Sequence, residues 1–202
     1  MDARQAARNL EVLRTLMERT CQYQLLTARA GLAAGSFAGA GALAFFFLAP
    51  EDPWHFGSIW AVVFAASLAA ATVSIILRGR QRGERVWSRP ARAVLLALAP
   101  SLFAALALSV FFFGRGEHLW LPGVWMLCYG QGALATSAYA PSPIRWLGLA
   151  VLSLGCVALW LGPDYAVLMI GLVLGVGHIG LGAALLVAER REATILLHRE
   201  VA

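Results

Sequence analysis

Apolar residues along this chain run in long uninterrupted blocks, separated by short turns that carry nearly all of the charge. Six such blocks stand out, at residues 30–48, 56–77, 93–114, 119–140, 144–162 and 165–188. Each approaches or exceeds the roughly 20 apolar residues that take a helix across a bilayer. The pattern predicts an all-α membrane protein with six transmembrane helices. The breaks fit this reading. Pro50 and Pro53 follow the first block, Pro141 and Pro143 the fourth, and Gly162-Pro163-Asp164 the fifth; proline cannot continue a helix from within.

Residues 1–24 read differently. Ala6, Leu10, Leu13, Met17 and Thr20 recur at a 4-3-4-3 spacing, which draws a narrow apolar seam along a helix. Glu11 with Arg14, and Arg14 with Glu18, are placed to pair beside it. The expectation is a cytoplasmic amphipathic helix at the headgroup interface. The chain then divides into that helix at 1–24, a six-helix transmembrane domain at 25–188 and a cytoplasmic helical tail at 189–202.

Two blocks carry glycine at helical spacing. Gly31, Gly35 and Gly39 lie four apart in the first. In the sixth, Gly171, Gly175, His178 and Gly182 fall within roughly 60° of one another at about 100° per residue. Small residues so arranged predict close helix packing. An ionisable ring at that depth is a candidate functional group. A charge there costs at least roughly 2.5–3.5 kcal/mol, so His178 is expected to be neutral and bonded to a neighbouring helix. The fourth block is the most polar: Trp125, Tyr129, Gly132, Thr136 and Tyr139 share one face, and Gln131 points elsewhere. The hydroxyls of Tyr129, Thr136 and Tyr139 are the expected partners. His178, Tyr129, Thr136, Tyr139 and Gln131 form the candidate intramembrane polar cluster.

Composition sharpens the class. The chain is 60% hydrophobic and only 13% charged, against about 25% charged in soluble domains, so most of its surface is built to face lipid. All 16 basic residues are arginine, and the net charge is +5. In a membrane protein this reports orientation rather than nucleic-acid binding. With the N-terminus inside, every arginine but Arg115 falls on the cytoplasmic side, which predicts that both termini are cytoplasmic. Six of them, Arg78, Arg80, Arg82, Arg85, Arg89 and Arg92, crowd one connection that serves as a topology determinant or a lipid-headgroup site.

Catalytic chemistry is hard to assemble from these residues. No Asp, Glu or Arg sits at mid-span, which argues against a proton relay. His55, His118 and His198 fall outside the blocks, so His178 lacks a matching haem ligand. Cys21, Cys128 and Cys156 have no metal-ligand spacing, no HExxH occurs, and Ser137 and Ser153 lie in no GxSxG frame. The expectation is a non-enzymatic protein without cofactor or metal.

Three pieces, Leu16-Met-Glu18-Arg19-Thr, Leu121-Pro-Gly-Val-Trp125-Met-Leu-Cys-Tyr129-Gly and Gly175-Val-Gly-His178-Ile-Gly, resemble stretches of a group of uncharacterised bacterial multi-span membrane proteins. The resemblance implies a small bacterial integral membrane protein of unassigned activity, and it assigns no site residue; the expected location is the bacterial cytoplasmic membrane. The favoured reading is a scaffold, sensor or accessory subunit acting through its cytoplasmic helices on a protein partner or a second copy. The rival is a small-solute permease or channel using a cleft between the fourth and sixth spans.

Overall fold

The computed structural model describes Gln5 and residues 27–48, 52–83 and 85–201. The amphipathic helix expected over residues 1–24 lies outside the described residues, Gln5 excepted. Every element among the described residues is helical. They are α1 (Ala28–Leu48), α2 (Pro53–Arg82), α3 (Arg89–Gly114), a 3₁₀ turn (His118–Trp120), α4 (Leu121–Thr136), α5 (Pro143–Leu161) and α6 (Pro163–Val201). Local chemistry sets the ends. The Thr27 hydroxyl accepts from Ala30 N at 3.0 Å. Asp52 caps α2 by accepting from His55 N at 3.0 Å, ahead of Pro53. Gly83 closes α2 at φ 65°, a left-handed conformation that glycine takes without strain.

Five helices are long and apolar enough to cross a membrane: α1, α2, α3, α5 and the Tyr165–Arg190 stretch of α6. The exception is α4, the fourth expected span, which stops at Thr136 after 16 residues. The hydroxyls there turn inward on their own chain: Thr136 donates to Ala133 O at 2.9 Å, and Ser137 to Leu134 O at 2.7 Å. Ser137 N also bonds Leu134 O, three residues back, which tightens and ends the helix before Pro141. The apolar block to residue 140 is therefore only in part a helix.

Packing runs through α6. Its longest contact is with α1, followed by α5 and then α4 and the 3₁₀ turn. α4 packs on α5 and α3, while α2 packs on α1. Burial follows this order. Ten residues of α4 are buried, whereas α2 buries only Phe56, Trp60 and Gly79, and α3 only Ser101. The two outer helices thus present most of their apolar surface outward, as lipid contact requires.

The α1–α6 contact is antiparallel and nearly backbone on backbone. A Cβ on Gly35 would meet Gly175 O at 2.6 Å and Ile179 N at 2.8 Å. One on Gly182 would meet Ala28 O at 2.8 Å, one on Gly31 would meet Gly182 Cα at 3.0 Å, and one on Gly171 would collide with the Ala42 methyl. Gly39 departs from the expected stripe: a Cβ there meets nothing within 4 Å, and it contributes only its backbone, 3.4 Å from a Cβ on Gly175. A second seam, between α4 and α5, went unpredicted. A Cβ on Gly130 would lie 2.5 Å from Leu152 N, one on Gly148 2.9 Å from Leu134 N, and one on Gly155 3.0 Å from Leu127 N.

These distances rank the glycines. Gly35→Ala and Gly182→Ala force two backbones apart and should destabilise by about 1–3 kcal/mol. Gly39→Ala has open space and should be neutral or stabilising by up to about 1 kcal/mol, the helix-propensity difference. Melting temperatures in a mild detergent check the order; equal losses at Gly35 and Gly39 would contradict it.

Candidate functional site

His178 sits on the α6 face turned towards α4. Its Nδ1 lies 2.8 Å from Leu174 O, one turn back, and its Nε2 lies 2.6 Å from the Tyr129 hydroxyl. A carbonyl only accepts, so Nδ1 carries the proton and donates. In the neutral ring Nε2 is then the acceptor, and Tyr129 donates to it. Both nitrogens are satisfied without a charge. The Tyr129 and His178 rings are 5.3 Å apart at centroids.

One turn earlier on α4, Trp125 Nε1 donates to Ser109 Oγ on α3 at 2.8 Å. The Ser109 hydroxyl in turn donates to Ala105 O at 2.7 Å. Trp125 and Tyr129 therefore pin α4 to α3 on one side and to α6 on the other. The rest of the expected cluster is not assembled. Thr136 is buried but spends its hydroxyl on Ala133 O. Tyr139 lies beyond the end of α4 and is 38% exposed, and Gln131 is exposed on another face of α4. The polar cluster contracts to the Tyr129–His178 pair.

Sequence reasoning missed a second histidine. His118, expected outside the apolar core, is 5% exposed in the 3₁₀ turn. Its ring stacks at 17° on Phe113 and meets Phe56 edge-on at 5.2 Å. Phe56 is the hub of this group, with Phe45 at 5.8 Å and Trp125 at 5.9 Å. The cluster joins α1, α2, α3 and α4 at one end of the molecule, and Gly57 lets Phe113 approach, since a Cβ there would stand 3.2 Å from its ring. Among the described residues, neither nitrogen of His118, nor Trp60 Nε1 nearby, has a hydrogen-bond partner. Unmade bonds of this kind cost about 1–3 kcal/mol each. The Phe45-Phe-Phe47 and Phe111-Phe-Phe113 triplets were the available signal, because each places a ring at this end.

At the opposite end the six-arginine group divides. Arg78 is 16% exposed at its side chain and pairs through Nη1 with Glu189 Oε1, which fastens α2 to α6. Arg80, Arg82, Arg85, Arg89 and Arg92 are exposed. No group of three or more His, Cys, Asp and Glu side chains that could hold a metal ion occurs among the described residues.

The Tyr129–His178 bridge has a measurable weight. Interhelical bonds of this type average about 0.6 kcal/mol and reach about 1.7. In a double-mutant cycle of Tyr129→Phe and His178→Leu, read by thermal unfolding in detergent, the coupling should fall in that range. His178→Gln, which keeps a donor and an acceptor, should be tolerated better than His178→Leu. A coupling of zero would mean the bridge does not form.

The site so described has no counterpart to lean on: no protein-family model, no curated protein and no solved structure matches the chain.

Proposed function

We propose that this is a non-enzymatic, multi-pass protein of the bacterial cytoplasmic membrane, a scaffold, sensor or accessory subunit that works through its cytoplasmic helices. The observation that carries this reading is the continuity of α6. It runs unbroken for 39 residues from Pro163 to Val201, about 58 Å at 1.5 Å per residue. The apolar stretch ends at Arg190, so the same rigid helix that holds the glycine seam and His178 continues past the bilayer. A shift where α6 meets α1 or α4 is delivered directly to its projecting end. Arg78–Glu189 grips α6 near the point of exit.

In this reading α4 is a short sixth crossing. Its 16 residues span about 24 Å, and the three residues of the 3₁₀ turn add about 6 Å. That sum equals the roughly 30 Å hydrocarbon thickness. Six crossings put both termini on one side, and the arginine asymmetry makes that side cytoplasmic. The polar face of α4 is engaged with its neighbours through Trp125 and Tyr129, which favours a structural role over a solute cleft between α4 and α6.

Two experiments test the proposal. Cysteine probes at Asp52 and Glu117 should react with an impermeant reagent in sealed cells, and probes at Gln81 and Glu192 should not. Labelling at Gln81 would overturn the six-span orientation. Co-purification in mild detergent should recover a partner or a second copy with the full chain and lose it when residues 191–202 are removed. Liposome flux of small neutral solutes, with no such partner, would replace this reading with the permease.

A further inference from the structure

The connection between α2 and α3 carries a positive excess, six arginines against the single carboxylate of Glu84, whose chemistry specifies its partner. Of the arginines from position 78 to 92, only Arg78 has an acidic partner among the described residues, Glu189. Arg80 and Arg82 on the last turn of α2, Arg85 in the loop, and Arg89 and Arg92 on the first turn of α3 are all exposed. No ion pair engages any of the five among the described residues. They lie on or between the two least buried helices, whose flanks at this end are also apolar: Leu77, Leu95 and Leu96 are exposed. Trp87 stands between them at 65% exposure. Guanidinium groups and an outward indole at the helix ends, with exposed leucines on the helices behind them, suit the polar and acyl levels of one leaflet. An arrangement that served topology alone needs the charges but not an exposed tryptophan among them.

We propose that Arg80, Arg82, Arg85, Arg89 and Arg92 hold the phosphate of an anionic phospholipid headgroup, with Trp87 as its interfacial anchor. The planar guanidinium fork matches two phosphate oxygens at once, which an ammonium cannot do. Five forks on one short connection offer more donors than one phosphodiester can fill. A headgroup with net negative charge is therefore favoured over a zwitterionic one, whose own ammonium would meet the same arginines. Arg78 takes no part, because Glu189 already neutralises it. The inference rests on the membrane reading, which retention in the membrane pellet after alkaline carbonate extraction tests separately.

The measurement is native mass spectrometry of the full chain in mild detergent, with phosphatidylglycerol or phosphatidylcholine added. Phosphatidylglycerol should remain bound where phosphatidylcholine is lost. R85Q and R89Q should each weaken its retention about fivefold, the worth of one arginine near an anionic surface. R115Q, at the other end of α3, should change nothing. Both substitutions are on exposed side chains, and an unchanged melting temperature confirms that each variant is folded. Equal retention of the two lipids would overturn the proposal. So would full retention by a variant with all five arginines changed to glutamine. Displacement of phosphatidylglycerol by millimolar inorganic phosphate would also overturn it, since the site would then be one for a free anion.

Discussion

The structure depends on how closely α1 and α6 approach. Where lipid surrounds a helix there is little hydrophobic gain from pairing with another, so van der Waals contact between backbones has to hold the pair. Glycine makes that contact continuous here: Gly31 and Gly35 on α1 lie against Gly182, Gly175 and Ile179 on α6. With α1 fixed, α2 has its surface to pack on, and the other sides of α6 are free for α4 and α5. α6 is therefore the axis of the bundle. The polar bonds are secondary to this seam: Tyr129–His178 and Trp125–Ser109 join helices that already pack together.

The long helices were legible because their signal is bulk. A run of twenty apolar residues has few alternatives to a helix, and α1, α2, α3, α5 and α6 all carry one. The α1–α6 seam was legible because its glycines recur every four residues. The α4–α5 seam was not, because Gly123 and Gly130 are seven apart, as are Gly148 and Gly155. Seven residues are two helical turns, so these glycines also share a face, but only one glycine per two turns marks it. The early end of α4 was hidden for another reason. Apolar content says nothing about Thr136 and Ser137 bonding to their own carbonyls.

The candidate site was legible at its centre and not at its edges. Depth alone singled out His178, and the shortage of polar neighbours reduced its partners to the hydroxyls of one helix. Tyr129 is the one that meets it because Trp125, a turn away, is held by Ser109 and fixes the rotation of α4. That rotation leaves Gln131 outside. His118 escaped notice because charged and turn residues around it, Arg115-Gly-Glu117, read as a solvated loop. Burial there is made by Phe56 and Phe113 from two other helices, which no local pattern contains.

The shortness of α4 bears on how the chain enters a membrane. A segment of 16 helical residues with most of its surface meant for protein is a poor candidate to be left alone in lipid while the rest of the chain is made. Its backbone seam with α5 offers a remedy. The two are consecutive, antiparallel and joined by residues 137–142. They can therefore be delivered to the bilayer as one hairpin, with the glycine seam already closed. α6, which contacts α1, α4 and α5, then joins that hairpin to α1.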